Sequence, residues 1–173
     1  MYFNTLTILS FTILLVAITE ALDIPATIKT IYEKHNCLRK PHGAGPLSVD
    51  KALEAQAQAY ASKLAKDDKG LKHSKSNGKY GENLAWGSNE NSAVDSPKYW
   101  YDEIKFYNFK KQGFGMKTGH FTQVVWKGSK SVGCGIAQSS KGTYTVCQYK
   151  PAGNFRGAFE KNVSPSTSGE PSC

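Results

Sequence analysis

The chain has 173 residues and a net charge of +8, from 22 Lys and Arg residues against 14 Asp and Glu residues. This length suits one domain with a buried core. The charge favours solubility and a weak attraction to anionic lipid headgroups or glycans. No basic run is longer than the pair Lys110-Lys111, so we interpret most of the charge as a solvated surface and expect no nucleic-acid binding.

The N-terminal segment, residues 1–21, has the pattern of a removable signal peptide. Residues 6–18 are apolar apart from Thr and Ser, and this is the length of a signal-peptide core but too short for a bilayer core of about 30 Å. Small residues allow cleavage after Thr19 or Ala21, although residues 1–5 contain no Lys or Arg. We therefore expect a secreted, extracellular protein; a buried N-terminal helix is the alternative.

Four segments carry helical signals. Apolar residues at helical spacing follow Pro25 in the first segment, and the second is rich in Ala, Leu, Gln, Glu and Lys. In the third, Asp95 or Ser96 is the expected cap, with Pro97 at the first helical position. The predicted helices are residues 22–38, 49–66, 93–108 and 119–127.

Two segments have the composition of irregular structure. Residues 68–92 are polar and rich in Gly, Lys, Asn and Ser, which predicts a long loop; loops of this length are usually functional or disordered. Residues 162–173 are rich in Ser, Pro and Gly, which predicts a flexible tail after a domain at residues 22–161. The sequon Asn162-Val-Ser is a candidate glycosylation acceptor.

The four cysteines suggest disulfides in a secreted chain. Residues 132–138 and 143–149 alternate as two strands of a hairpin. With a two-residue loop at 140–141, Cys134 faces Cys147 in a non-hydrogen-bonded pair with Cα atoms about 4.5 Å apart, a distance that a disulfide tolerates. We predict this bond. Cys37 and Cys173 remain, and they either pair with each other or stay free.

Helices that precede a hairpin, without regular βαβ alternation, predict an α+β fold. A central antiparallel sheet with helices on its faces would bury both the strands and the apolar helix faces.

Four ordered segments together resemble the CAP family, which includes cysteine-rich secretory proteins, venom-allergen-like proteins and plant pathogenesis-related proteins of class one. The resemblance runs from about residue 25 to 160 and is closest to single-domain Golgi-associated plant pathogenesis-related proteins and their yeast relatives. Thr145 stands where the family usually has an apolar residue. The segments are His35-Asn-Cys-Leu-Arg39, Gly81-Glu-Asn-Leu84, Gly119-His-Phe-Thr-Gln-Val-Val-Trp-Lys-Gly-Ser129 and Cys147-Gln-Tyr-Lys-Pro-Ala-Gly-Asn-Phe155.

The resemblance implies an α-β-α sandwich and a shallow cavity lined by two His and two Glu. The matching residues are His73, Glu82, Glu103 and His120. Such a set could hold Zn or Mg, or form a neutral hydrogen-bonded cluster. The sequence contains no GxSxG or HExxH motif, and we expect no catalysis and no required cofactor. His35 and Asn36 are interpreted as structural residues that tie the first helix to the sheet.

An aromatic segment, residues 105–117, mixes Phe, Tyr and Met with Lys and Gly, as a mobile loop that touches membranes would. By resemblance to the yeast relatives, we expect four of its aromatic residues to bind a sterol or related lipid, with the lysines meeting anionic headgroups. The alternative is a surface loop whose aromatic rings pack on the third helix. The four residues are Phe106, Tyr107, Phe109 and Phe114.

The sequence therefore predicts a CAP-family protein that binds small hydrophobic ligands, sterols or fatty acids. The family also implies a fatty-acid groove between helices, here the first and third. Two alternatives stay open: a protein-binding effector or immunomodulatory module that engages a receptor, and a metal-dependent hydrolase.

Overall fold

The computed structural model describes residues 22–89, 91–169 and 171–173; the predicted signal peptide lies outside these residues. Within these residues, five α-helices, two short 3-10 helices and four strands follow one another without regular alternation. None of the helices in the described part of the chain is long and apolar enough to cross a membrane. The elements are α1 (Ile24–Arg39), β1 (Ser48–Val49), α2 (Lys51–Asp67), β2 (Gly81–Gly87), α3 (Asn91–Tyr101), α4 (Gly119–Val124), β3 (Ser131–Gln138), β4 (Thr143–Lys150) and α5 (Phe159–Asn162).

The strands form one mixed sheet in the order β1-β3-β4-β2. β3 and β4 form the predicted hairpin, and β2 pairs antiparallel with β4 over seven positions. β1 pairs parallel with β3, so the sheet is not purely antiparallel as predicted. The prediction of an unbroken loop at 68–92 is wrong, because β2 lies within it. The glycines and polar residues of β2 show no strand pattern, and pairing with β4 imposes the extended backbone.

Helices cover both faces of the sheet, which gives the expected α-β-α sandwich. On one face, Ala57 and Ala61 of α2 pack against Leu84 and Val146. On the other face, a larger core joins α1, α3 and α4 to the alternate side chains of β3 and β4. Its members include Ile31, Leu38, Trp100, Phe121, Val132, Ile136 and Tyr149.

Glycines let α2 lie directly on β3. A Cβ atom added at Gly133 would come within 2.1 Å of the backbone nitrogen of Glu54, and one at Gly135 within 2.3 Å of the Cα of Gln58. Both are closer than any carbon can approach a backbone atom. The close contact between α2 and the sheet therefore depends on these two positions having no side chain.

The predicted start of the third helix is wrong. α3 begins at Asn91, and Pro97 lies inside it rather than at its first position. Proline lacks the amide hydrogen that would bond the carbonyl of Ala93. The Ser96 hydroxyl donates a hydrogen bond to this carbonyl at 2.8 Å, so the interior proline leaves no buried acceptor without a donor.

Two disulfides cross-link the described residues, one within the hairpin and one between α1 and the C-terminal segment. Cys134 faces Cys147 in the predicted register, with a Cα–Cα distance of 4.2 Å, and the two are bonded. Cys37 in α1 is bonded to Cys173, which decides between the two alternatives that the sequence left open.

The C-terminal segment, predicted to be a flexible tail, makes specific contacts with the domain. Besides the disulfide at Cys173, the Ser164 carbonyl is 2.6 Å from Nδ1 of the buried His42. The Thr167 amide donates to the Pro41 carbonyl at 2.9 Å. These contacts hold the segment against the end of α1.

Two buried polar residues of α1 fix the helix to the rest of the core. The Arg39 guanidinium is fully buried and donates to the carbonyls of Gly45, Val124, Trp126 and Ser129. His35 is also fully buried, with Nδ1 2.8 Å from the Ile31 carbonyl and Nε2 2.7 Å from the Tyr149 hydroxyl on β4. The predicted structural role of His35 is confirmed.

Candidate functional site

The first His–Glu pair joins His73, in the segment before β2, to Glu82 on β2. Nδ1 of His73 is 2.9 Å from one carboxylate oxygen of Glu82, which also accepts the Ser74 amide. The other oxygen accepts the Ser74 hydroxyl at 2.6 Å and the Gln148 side-chain amide at 3.0 Å. The Glu82 side chain is 5% exposed, whereas the His73 side chain is 60% exposed.

The second pair joins Glu103, which follows α3, to His120 at the start of α4. One Glu103 oxygen is 2.7 Å from Nδ1 of His120, and the other accepts the backbone amides of His120 and Phe121 at 2.9 and 3.2 Å. A carboxylate at this position satisfies amides that have no partner within the helix. The His120 ring stacks on Trp100 with a centroid separation of 6.4 Å.

Both glutamates are held as carboxylates. Burial by itself raises the pKa of each, but hydrogen bonds outweigh it. His73, Ser74 and Gln148 lower the pKa of Glu82, and His120 with two backbone amides lowers the pKa of Glu103. Since a carboxylate oxygen can only accept, Nδ1 of each imidazole carries a proton.

The four predicted cavity residues therefore form two pairs that belong to different layers. Glu82 shares its strand face with Leu84, which packs against α2, whereas Glu103 and His120 belong to the layer of α3 and α4. Within the described part of the chain, no group of three or more His, Cys, Asp or Glu side chains is arranged to hold a metal ion. The residues present do not fit a zinc site, which usually requires at least three protein ligands.

Ser74 follows His73 in the sequence and carries a hydroxyl, the group of a serine nucleophile. Its hydroxyl donates to the Glu82 carboxylate, and it accepts from the Tyr80 hydroxyl at 2.9 Å. A nucleophilic serine needs its proton aimed at a base such as an imidazole. Here the Ser74 hydroxyl proton points at the Glu82 carboxylate instead, so the hydrogen bond has a structural role.

The four predicted lipid-loop residues separate into two pairs. Tyr107 and Phe109 contact each other and Phe121 of the core, with ring centroids 4.9–6.2 Å apart. Phe106 and Phe114 are 58% and 60% exposed. The inner pair thus anchors the loop, and the outer pair faces solvent.

A groove of about 510 Å³ lies within this loop, over residues 106–118. Phe106, Phe114 and Met116 line it, and Met116 is 87% exposed. Residues 104–118 contain four lysines and no Asp or Glu. Exposed apolar side chains in a segment whose charged residues are all basic are typical of a surface that meets lipid.

A fatty-acid groove between α1 and α3 was the second expected lipid site. The two helices are in direct contact: Lys34 pairs with Asp95 at 2.9 Å, and the His35 and Trp100 rings are 5.8 Å apart. An apolar groove of about 430 Å³ does adjoin α1, but on its other side, where Ile24, Ile28 and Tyr32 meet the start of α2.

The candidate glycosylation acceptor, Asn162, is buried in α5. Its side-chain nitrogen donates to the Ala158 carbonyl at 2.7 Å, and its oxygen accepts the Gly128 amide at 2.8 Å. A glycan on this nitrogen would displace the side chain and break the contact between α5 and the loop after α4. The folded structure therefore disfavours modification here.

Comparison with known proteins agrees with this fold. The family model of the cysteine-rich secretory proteins, named CAP, matches residues 32–149. The chain is 45% identical over 140 residues to the human Golgi-associated plant pathogenesis-related protein 1, covering 78% of this chain and 90% of that protein. This chain belongs to the CAP family. It is also 43% identical over 129 residues to pathogenesis-related protein 1A of Nicotiana tabacum, covering 72% of this chain and 75% of that protein.

A solved CAP structure supports the fold alone. The Schistosoma mansoni venom allergen-like protein 4 superposes with a TM-score of 0.63 at 24% identity, over 82% of this CAP chain and 95% of that one.

Sequence reasoning missed most of the partners that fix the two His–Glu pairs. Ser74 and Gln148 hold Glu82, and the Asn83 side chain donates to the His120 carbonyl at 3.1 Å. Gln148 is 66 positions from Glu82. Only the register of β2 against β4, which places Glu82 opposite Gln148, could have indicated that contact.

Proposed function

We propose that this CAP protein binds small hydrophobic ligands, a sterol or a fatty acid, at the groove of residues 106–118. The observation that carries the proposal is the exposure of Phe106, Phe114 and Met116 around one groove in an otherwise basic loop. Exposed large apolar side chains cost solvation free energy, and a ligand or membrane that covers them recovers it.

The loop is anchored in a way that suits ligand binding. Tyr107 and Phe109 pack on Phe121 at the base of the loop, so the loop that forms the groove is attached to the core. The Phe114 ring crosses the start of α4, since a Cβ atom at Gly119 would come within 2.9 Å of it. Lysines around the rim would meet carboxylate or phosphate groups at the polar end of a ligand or bilayer.

We propose no catalytic role for the His–Glu pairs. Each carboxylate is fully engaged by hydrogen bonds, and the Ser74 hydroxyl is donated to Glu82. These pairs fix the segment before β2 and the start of α4, next to the loop.

We propose that the protein works outside the cytosol. The two disulfides and the signal-peptide pattern of residues 1–21 support this, because disulfides persist in oxidising compartments.

The test is a titration of the purified protein with radiolabelled cholesterol, with unlabelled palmitate as competitor. The informative variant is Phe106→Ala/Phe114→Ala. Phe109 is avoided because it packs on the core, and its loss would destabilise the fold. Tyr99→Ala/Phe155→Ala is the matched control, since these rings are exposed to a similar degree, 54% and 53%.

We expect saturable binding that weakens about tenfold or more in the loop variant, which corresponds to about 1.4 kcal/mol, and little change in the control. Displacement by palmitate would place both ligands in one groove. If the folded wild-type protein does not bind either ligand, or if both variants weaken binding equally, the proposal is wrong.

A further inference from the structure

A second set of lysines, separate from those of the lipid loop, lies at the end of α2 and in the segment that follows it. Between residues 63 and 79, lysine recurs at nearly every third position, six times in all, against two aspartates. All six side chains are exposed. They are Lys63, Lys66, Lys69, Lys72, Lys75 and Lys79.

The fold gathers four of these lysines around one groove. Lys63 on α2 and Lys69, Lys72 and Lys75 on the following segment line a cavity of about 400 Å³. Three residues of extended chain span at most about 10 Å, so the Cα atoms of successive lysines among Lys69, Lys72 and Lys75 are at most about that far apart along the groove wall. From the sequence alone, these lysines were interpreted as part of a solvated surface.

Hydrogen bonds that do not involve the side chains of Lys69, Lys72 or Lys75 hold the groove in shape. The Tyr60 hydroxyl donates to the Lys72 carbonyl at 2.6 Å, and Ser74 is bonded to Glu82. At the end of α2, the Tyr144 hydroxyl donates to Asp68 at 2.8 Å. A fixed backbone lowers the cost of ordering the site when a ligand binds.

The acidic residues nearby leave most of this charge uncompensated. Asp67, the acidic residue that lines the groove, pairs with Lys63, and Asp68 pairs with Lys141. Over the described part of the chain, no salt bridge involves Lys69, Lys72 or Lys75. Like charges held together repel one another, and a multivalent anion would relieve that repulsion.

We infer that this groove is a binding site for a sulfated glycan, with Lys69, Lys72 and Lys75 as its contacts. Sulfate esters repeat along such a chain, so a row of ammonium groups can engage several at once. Lysine, with a flexible stem and a point charge, adapts to irregular anion spacing better than a rigid guanidinium fork.

The groove suits a glycan better than a membrane or a nucleic acid. Its apolar lining, Leu64 and Tyr60, packs on the core beneath β4 and β2 and cannot insert into a bilayer. A single-stranded nucleic acid would need aromatic faces on which bases stack. The aromatic rings among the lining residues are those of Tyr60 and His73, and both are tied back to the protein, Tyr60 through the Lys72 carbonyl and His73 through the Glu82 carboxylate.

The experiment measures binding of the purified protein to heparin as the sulfated probe, at several salt concentrations. The groove variant is Lys69→Gln/Lys72→Gln/Lys75→Gln. The matched control, Lys105→Gln/Lys110→Gln/Lys111→Gln, removes the same charge from exposed positions in the lipid loop. Chemically desulfated heparin and phosphatidylserine vesicles serve as alternative ligands, and thermal unfolding checks that each variant folds.

We expect the groove variant to bind heparin at least tenfold more weakly, with a shallower dependence on salt because fewer counterions are released. The control should stay within about threefold of the wild type, and desulfated heparin should not bind. The inference is overturned by absence of heparin binding, by equal losses in both variants, or by a groove variant that loses vesicle binding but keeps heparin binding.

Discussion

Acid should destabilise this protein through His35. The Ile31 carbonyl can only accept, so Nδ1 carries the ring proton and Nε2 accepts the Tyr149 hydroxyl. Burial, with a smaller contribution from the charge of Arg39, lowers the pKa of His35 from 6.5 to about 4. Protonation would turn Nε2 into a donor, so the Tyr149 hydroxyl would lose the hydrogen bond that it donates, and a charge would be placed in a fully buried site.

The folded pKa lies below the unfolded one, so the unfolded chain binds the proton first as the pH falls. The stability due to neutral His35 is complete above about pH 6.5 and is lost progressively down to about pH 4. Linkage gives a loss of about 3 kcal/mol over this interval for the pKa change from 6.5 to about 4. A domain of this size has a free energy of unfolding of roughly 5–15 kcal/mol, so the loss is large.

The assay compares wild-type protein with His35→Gln by urea unfolding at pH 7, 6, 5 and 4, followed by tryptophan fluorescence. Glutamine does not titrate, and other groups, including Glu82 and Glu103, titrate in both proteins and cancel in the difference. The two proteins will differ in free energy of unfolding at pH 7 by some amount. Between pH 7 and pH 4 we expect that difference to shift by about 3 kcal/mol in favour of the variant. A difference that stays constant within about 0.5 kcal/mol would refute the reasoning.

Three further changes test other parts of the structure. Glu103→Gln removes the anion at the start of α4 and should lower the free energy of unfolding by about 1–2 kcal/mol at pH 7. Since the pKa of Glu103 is lowered in the folded protein, this penalty should shrink as the pH falls through the folded pKa. A penalty that persists at pH 2 would contradict the role of Glu103 as a carboxylate that caps α4. Gly135→Ala places a methyl group against α2 and should cost more than about 2 kcal/mol in chemical denaturation; a neutral result would mean that α2 does not lie this close. The pair Cys37→Ser/Cys173→Ser opens a loop of sequence separation 136 and should lower stability by about 2–5 kcal/mol, seen as a lower Tm; an unchanged Tm would contradict the tether.

Local signals in the sequence were enough for the main helices and the hairpin. The helical spacing of apolar residues predicted α1 and α2 within a few residues of their bounds. The alternation of the hairpin, with its short turn, fixed the register and therefore the bond between Cys134 and Cys147. Both kinds of signal depend on residues close together in the chain.

The start of α3 and the strand β2 were missed for different reasons, the first local and the second not. Pro97 is tolerated inside α3 because a neighbouring hydroxyl replaces the missing donor. β2 has a strand conformation because β4, more than fifty residues later, offers a backbone to pair with.

The candidate sites show the same division. Residue types and order by themselves determined the family resemblance, the four His and Glu residues and the aromatic loop. Only the tertiary structure decided that the four residues form two pairs, that Phe106 and Phe114 face solvent while Tyr107 and Phe109 are packed inward, and that lysines spaced along one segment line a groove. The physical reason is that a contact depends on the direction of each side chain and on what lies across from it, and packing between distant elements sets both.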